Sequence, residues 1–342
     1  MNKSKQIWVM VGLLFMTLRL EAQDFQYSQF FAAPLYLNPA FTGSSEMIRV
    51  GFNNRIQWPG LNKSFKATSV YADFYSHSLQ SGFGISANSF LEEHIQLRTQ
   101  DISGFYSYRL KVGERKSLRF GTQVSYQVKS ADMGDLIHQD QIDPLTRTVS
   151  GTTSDFIPDF ENQQNFSISF GMLYTDNNFW IGISNHHINN PQLWFIGDDQ
   201  YSHSFQKYSI HGGYQFLLSD NSFSRNTSEK FFLIKGNYKQ QGPFKQLDLA
   251  TQLTLGILDL GLGYRGIPGT VNLPNRDSII SMLGFNIDSK YLVGYSYDWQ
   301  LSGLGNDSRG VHEISIRLKF HTAESRLNAM QNPALRCFYY LF

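Results

Sequence analysis

The stretch Met47–Trp58, MIRVGFNNRIQW, alternates apolar and polar side chains along most of its length. Ile48 and Phe52 fall on one face of a two-residue period, and Arg49 and Arg55 fall on the other. A period of two is typical of a β-strand that has one apolar and one polar face. The stretch therefore predicts a strand whose charged face lies away from an apolar environment.

The same alternation recurs through the rest of the chain, for example in 117–129 and in 311–320. No helical window of comparable length competes with it. The pattern predicts 14 strands. We place them at 47–58, 65–75, 81–90, 99–111, 117–129, 165–174, 179–187, 205–217, 230–239, 245–255, 257–264, 278–288, 291–299 and 311–320.

The connections between the predicted strands alternate in length. Those after even-numbered strands are mostly short, such as 76–80 and 112–116, and the long ones, such as 130–164 and 188–204, follow odd-numbered strands. Two connections depart from this rule, 218–229 and 240–244. Outer-membrane barrels have short periplasmic turns and longer outer loops. We therefore expect an all-β fold, a transmembrane antiparallel β-barrel of the outer membrane with about 14 strands and both termini in the periplasm.

A secreted β-sandwich would alternate in the same way and is the competing architecture. A charge on the lipid face of a barrel costs about 2 to 4 kcal/mol at mid-bilayer, and here the charges share the opposite face. Aromatic residues at strand ends also favour the barrel, because they suit interfacial girdles. These are Trp58, Phe90, Tyr108, Tyr174, Phe179, Tyr264, Tyr291 and Trp299.

The chain divides into four parts. Residues 1–22 combine early lysines, an apolar run and a small residue, Ala22, as in a secretory signal peptide. Residues 23–46 are aromatic and aperiodic, and we expect a plug in the lumen or a lining of the periplasmic face. The barrel is expected at 47–320, and 321–342 would form a periplasmic tail. Pro333 limits the last apolar run of that tail to a piece too short to span.

Composition excludes several classes of protein. With 29 Lys and Arg against 28 Asp and Glu, the net charge of +1 gives no reason to expect a nucleic-acid partner. The one cysteine, Cys337, allows neither an internal disulfide nor a cysteine zinc site. No segment after the signal reaches the roughly 18 apolar residues of a transmembrane helix.

Motifs for catalysis are not recognisable in the sequence. His186 and His187, with His203 and His211, form a candidate metal set, but neighbouring residues of a strand face opposite sides and are not expected to share one ion. Neither a G-x-S-x-G motif nor a glycine-rich phosphate loop is present. We therefore expect no enzyme activity, no metal and no cofactor.

Several segments are similar to the PorP/SprF family of Bacteroidota outer-membrane proteins. They are Gln29–Phe31, Leu37–Gly43 (LNPAFTG), Asn54–Pro59 (NRIQWP), Tyr297–Leu304 (YDWQLSGL) and His312–Ile316 (HEISI). The resemblance implies a non-catalytic barrel of the type IX secretion and gliding apparatus. It implies a SprF-like role, in which the barrel supports secretion or surface anchoring of a large partner such as an adhesin. A PorP-like link to the periplasmic ring and a peptidoglycan-binding lipoprotein is the alternative within the family.

Two regions are candidates for partner binding. The first comprises residues of the N-terminal block and first strand, Phe30, Phe31, Asn38, Pro39, Phe41, Arg55 and Trp58. The second is the acidic connection 130–164, with Asp140, Asp143, Asp155 and Asp159, which we expect to be solvated or to face a partner rather than to hold calcium. The predicted charged lumen also leaves open a passive outer-membrane porin as the second function.

Overall fold

The computed structural model describes residues 24–61, 63–131, 139–143, 146, 148–149, 151, 162–193, 202–219, 230–266, 276–287, 290–301 and 306–321. The predicted signal peptide and all but the first residue of the predicted tail lie outside these ranges. The helical elements are α1 (Pro34–Leu37), η1 (Pro39–Phe41), η2 (Gln139–Gln141) and η3 (Asn306–Ser308). None of the described helices is long and apolar enough to cross a membrane.

Strands form nearly all of the rest. They are β1 (Ile48–Gln57), β2 (Phe65–Ser76), β3 (Ser81–Glu92), β4 (Leu97–Lys111), β5 (Ser117–Ser130), β6 (Gln163–Thr175), β7 (Phe179–His186), β8 (Gln192–Leu193), β9 (Ser202–His203), β10 (Lys207–Ser219), β11 (Lys230–Gln241), β12 (Phe244–Leu255), β13 (Leu258–Gly266), β14 (Arg276–Ile287), β15 (Tyr291–Gln300) and β16 (Val311–Phe320).

Fourteen of these strands form one closed antiparallel barrel. Each strand pairs with its neighbours in the chain, β7 pairs directly with β10, and β1 closes the ring on β16. The two-residue strands β8 and β9 pair only with each other. The predicted 14-stranded barrel is therefore confirmed. Its ends are defined here by the closing pair: the base is the end where Ile48 pairs with Phe320, and the mouth is the end where Gln57 pairs with Val311.

The outer face of the barrel is apolar, as the alternation in the sequence predicts. Ile48 and Phe52 are exposed on β1, whereas Arg49 and Arg55 on the other face of the same strand are buried in the lumen. Large aliphatic side chains such as Ile102, 68% exposed, continue this apolar surface on other strands. Only a closed sheet pairs every backbone group of a spanning strand internally, so a barrel with this outer face suits a lipid bilayer.

The core of the protein lies inside the barrel. Residues Asp24–Met47, called the luminal segment here, fill much of the lumen and place Phe30, Phe31, Leu37 and Phe41 against inward-facing side chains of the wall. Pro34 and Pro39 begin α1 and η1, positions where the missing N–H of proline is harmless. These two short helical turns, linked by Asn38, give the segment its folded path.

The luminal segment runs from the mouth to the base. Asp24 contacts Lys207 and Gln241, which belong to the mouth ends of β10 and β11, whereas Met47 immediately precedes Ile48 at the base. Strand parity and loop lengths predict both termini in the periplasm, and the termini themselves, in residues 1–23 and 322–342, lie outside the described ranges. Asp24 and Phe320 lie at opposite ends of the barrel.

Candidate functional site

The site is the seat of the luminal segment. We divide the segment into a mouth half, Asp24–Leu37, and a base half, Asn38–Met47. All residues of the base half are buried. In the mouth half, Asp24, Phe25, Gln26 and Tyr36 are only half-buried.

The base half lies directly against glycines of the wall. A Cβ added to Gly82, Gly121 or Gly171 would lie 2.3 Å from the Thr42 carbonyl oxygen, 2.2 Å from the Ala40 nitrogen or 1.9 Å from Asn38 Oδ1, respectively. These glycines, called the glycine track, lie on β3, β5 and β6. On β4, between the first two, Ser107 Oγ donates to the Thr42 carbonyl at 2.6 Å. The four neighbouring strands β3 to β6 therefore leave room for the backbone turns of Asn38–Gly43.

Asn38 connects the segment to the next strands of the wall, which continue around the barrel from the glycine track. Its Nδ2 donates to the carbonyls of Met172 and Ile183 at 3.0 and 3.1 Å and lies 3.0 Å from His211 Nε2. Its Oδ1 accepts from the Ala40 N–H at 2.8 Å and so caps η1. One buried amide therefore shapes the turn and attaches it to β6, β7 and β10.

Paired charges of the barrel wall bind the base half. Arg49 Nε and Nη2 donate to the two oxygens of Asp73 at 2.8 Å each, and Nη2 also donates to the Phe41 carbonyl at 3.1 Å. The Gly43 N–H donates to Asp73 Oδ2 at 2.6 Å. Glu46 accepts a hydrogen bond from Arg109. Buried charges are tolerated when paired and hydrogen-bonded in this manner.

A second charged network holds the middle of the mouth half. Glu313 accepts from the backbone N–H groups of Ser28 and Gln29 at 2.7 and 2.9 Å. Arg55 donates to Ser28 Oγ and lies 3.3 Å from carboxylate oxygens of Asp298 and Glu313. Backbone and hydroxyl groups of the segment thus complete an ion network formed by β1, β15 and β16.

Asp24 fastens the segment at the mouth. Its Oδ2 accepts from Lys207 Nζ at 2.6 Å and lies 2.9 Å from His187 Nε2, and its N–H donates to Gln241 at 2.9 Å. Burial alone would raise the pKa of Asp24, but the nearby His187 and Lys207 hold it well below the usual carboxyl value. The carboxylate therefore stays charged at neutral pH.

Two chambers flank the segment where it enters the barrel. The first, of about 450 Å³, lies on the side of β3 to β6, and the second, of about 570 Å³, lies on the side of β11 and β12. Asp24, Phe25, Gln26 and Tyr36 line both. These two chambers together are called the mouth vestibule here.

The structure places most of the predicted partner-binding residues in the lumen. Phe30, Phe31, Asn38, Pro39 and Phe41 are buried in the luminal segment, and Arg55 is buried on β1. Trp58 lines the second chamber. Asp140 and Asp143 are exposed and far from this cluster in sequence, and Asp155 and Asp159 lie outside the described residues. Their role in partner binding remains a prediction.

Two expectations from strand periodicity are wrong at strand ends. Phe90 does not face lipid but stacks on Phe25 inside the mouth, with ring centroids 5.2 Å apart. His187 follows the end of β7 with a φ of 59°, so it turns inward beside His186 instead of facing away from it. Even so, the described residues contain no group of three or more His, Cys, Asp or Glu that could hold a metal ion.

Sequence reasoning missed the wall residues that hold the segment. Asp73, Asp298 and Glu313 are inward-facing acids on β2, β15 and β16, and each neutralises a buried arginine. These acids could have been found from the sequence, because they are charged residues on the polar face of predicted strands. The glycine track carried no signal of its own, because its function depends on which segment packs over it.

Comparison with known proteins places the chain in a family. It matches the family described as type IX secretion system membrane protein PorP/SprF over residues 19–318. The chain matches no curated protein. Solved structures similar to it include Omp33 of Acinetobacter baumannii (9% identity, TM-score 0.42, 82% of this chain and 100% of that chain), the CymD monoaromatic hydrocarbon channel (13%, 0.45, 85% and 93%) and the KdgM porin (7%, 0.37, 80% and 99%). Because the family match spans most of its length, the chain belongs to the PorP/SprF family of type IX secretion system membrane proteins.

Proposed function

We propose that this outer-membrane barrel is a partner-specific accessory of type IX secretion that supports the secretion or surface anchoring of a large protein such as an adhesin. In this role it performs no catalysis. The observation that carries the proposal is the packing of the base half, which occupies the lumen as a buried core. A barrel built in this way serves as a scaffold and does not need to conduct.

The packing of the base half also bears on the porin alternative. A passive porin needs a polar, water-filled lumen. Here a solute would have to displace Phe41, which is fully buried and packs edge-to-face on Trp180 at 5.4 Å. It would also have to separate Arg49 from Asp73. The described residues therefore favour the accessory over the porin.

Deletion of the gene in its own bacterium tests the proposal. We expect one large surface or secreted protein to disappear from the cell surface, while uptake of small hydrophilic solutes stays unchanged. Quantitative proteomics of surface and culture medium, with a solute-uptake assay, measures both. Slower uptake with an unchanged surface proteome would contradict the accessory role and favour the porin.

A glycine variant connects the role to the luminal segment. Gly171→Val removes the space that Asn38 Oδ1 occupies, and overpacking of this kind costs about 1 to 3 kcal/mol. We expect the folded barrel to reach the membrane but to lose most of its support for the partner. Gly104→Val is the control, because a Cβ added to Gly104 has no atom within 4 Å.

The two glycine variants are compared in the deletion strain. The barrel amount is checked by the shift in electrophoretic mobility between heated and unheated samples. Normal partner secretion by Gly171→Val, at normal barrel amounts, would show that the seat of the luminal segment is not needed for partner handling. Equal loss in both variants would attribute the effect to the barrel wall in general.

A further inference from the structure

The mouth vestibule has a wall chemistry that the scaffold role does not use. Planar amide side chains are frequent on its surface, with Gln57, Asn88, Gln123 and Gln127 in the first chamber and Gln246 and Gln300 in the second. An amide carries both donors and acceptors; Asn88 and Gln123 already donate to neighbours in the wall, while their carbonyl oxygens have no hydrogen-bond partner among the described residues. Ser125, Ser167 and Ser169 add hydroxyl groups to the first chamber. The vestibule is thus suited to a ligand that carries many hydrogen-bonding groups of both kinds.

Most strong charges of the vestibule wall have partners within the protein. Asp24 is paired with Lys207 at 2.6 Å, and Arg265 is paired with Asp248 at 2.8 Å. Arg55 lies between Asp298 and Glu313. Because these charges are already matched, the wall does not select strongly for an ion of either sign.

Aromatic rings form the apolar part of the same wall. Phe90 and Tyr36 are half-buried and line the first chamber, and Phe244 is exposed and lines both chambers. Phe90 stacks on Phe25, which fixes the ring orientation. A ligand with apolar C–H faces and polar edges could lie against these rings while its edges meet the amides.

We propose that the mouth vestibule binds a saccharide. Sugar hydroxyl groups both donate and accept hydrogen bonds, which matches the amides, and the C–H face of a pyranose ring matches the exposed ring of Phe244. Each chamber, of about 450 and about 570 Å³ respectively, lies within the range of roughly 300 to 1,000 Å³ that is usual for small-ligand sites. The luminal segment forms part of the site through Phe25, Gln26 and Tyr36, so the site exists only while the segment is in place.

An extended peptide is the competing ligand, and the structure favours it less. Peptides commonly bind as an added strand at a free sheet edge. The described strands of the barrel close on one another from β1 to β16 and offer no such edge. A saccharide needs no strand edge, because its hydroxyl groups bond to side chains.

Binding to the purified full-length barrel tests the proposal directly. The detergent must lack a sugar head group, so we choose lauryldimethylamine oxide. Isothermal titration is performed with neutral disaccharides and trisaccharides, with uronic acids included because Lys129 and Lys245 also line the chambers. At least one saccharide is expected to bind with a dissociation constant of about 1 mM or tighter.

Variants then locate the site. Gln127→Ala removes an amide that makes no hydrogen bond among the described residues, so the wall should be unaffected, and we expect affinity to fall about tenfold, the effect of one lost hydrogen bond. Asn286→Ala is the control, because Asn286 is also an inward-facing amide but is buried at the base, where its N–H bonds to the Ile257 carbonyl, far from the vestibule. Its affinity should equal that of the unmodified protein.

Three results would overturn the proposal. They are no heat of binding from any saccharide at about 50 mM, an equal loss of affinity in Asn286→Ala, and binding of an unstructured peptide with the same dependence on Gln127. The inference is independent of the secretion role, because these titrations need neither the partner nor the secretion machinery.

Discussion

The base half and the mouth half of the luminal segment have different surroundings. The base half touches wall backbone at Gly121 and Gly171 and is buried throughout. The mouth half is attached at Asp24, Ser28 and Gln29 but has open chambers on both sides. One chain segment thus provides a close-packed core at one end and part of an accessible cavity at the other. Close packing suits permanent closure, and the cavity leaves side chains free to meet a ligand.

Removing one partner of the Arg49–Asp73 ion pair, which binds the base half, should cause the largest loss of stability. Asp73→Ala leaves Arg49 buried without its counter-charge and removes the acceptor of the Gly43 N–H. Loss of one member of a buried pair costs about 3 to 5 kcal/mol. The free energy of unfolding is measured by denaturant titration in detergent micelles, with tryptophan fluorescence as the signal.

The double variant Arg49→Met with Asp73→Leu is the control for that ion pair. It removes both charges together, so no buried charge is left uncompensated, and its stability should lie well above that of Asp73→Ala. A double variant as unstable as the single one would show that the ion pair itself, and not the orphaned arginine, determines the loss.

Removing one aromatic ring from each half tests the difference in packing between the two halves. Phe41→Ala opens a cavity in a fully buried site beside Trp180 and should cost about 3 to 5 kcal/mol, the range for large core truncations. Phe25→Ala removes a half-buried ring beside the vestibule and should cost roughly 1 to 2 kcal/mol. The same unfolding assay compares them, and equal losses would contradict the division of the segment into two halves.

The barrel wall was predictable from the sequence, and the seat of the luminal segment was not. A two-residue period locates strands such as β1 and β16 within a few residues, because lipid selects apolar side chains on every second position. The direction of the segment depends on contacts between distant residues, such as Asp24 with Lys207. Residues 23–46 have no period that would reveal such contacts, and their aromatic content alone is compatible with both a plug in the lumen and a lining of the periplasmic face.

The strand ends show where periodicity stops being informative. Phe90 and His187 were assigned by alternation, yet both turn into the mouth, where the wall meets the luminal segment. Alternation predicts which face of the sheet a side chain occupies only where the residue lies inside a regular ladder of paired strands. At the last residues of a strand, packing against another element or a change of φ determines the direction of the side chain.

Asp24 gives the smallest and most specific test of the mouth half. Asp24→Asn keeps the shape of the side chain but removes its charge, so the attachment to Lys207 and His187 weakens by roughly 1 kcal/mol, a value reduced by the partial exposure of the site. The pKa of Asp24 is lowered in the folded protein, so this stabilisation is complete above the ordinary carboxyl pKa of about 3.9 and is lost as the pH falls through the lowered value.

The difference between the unmodified protein and Asp24→Asn should therefore be constant from neutral pH down to about pH 4 and shrink below it. Unfolding at a series of pH values measures this difference, and other carboxylates cancel because both proteins contain them. Protonated aspartic acid and asparagine carry the same charge, so the two proteins should converge in acid. A difference that persists there would contradict the attribution of the loss to the charge of Asp24 and its attraction to Lys207.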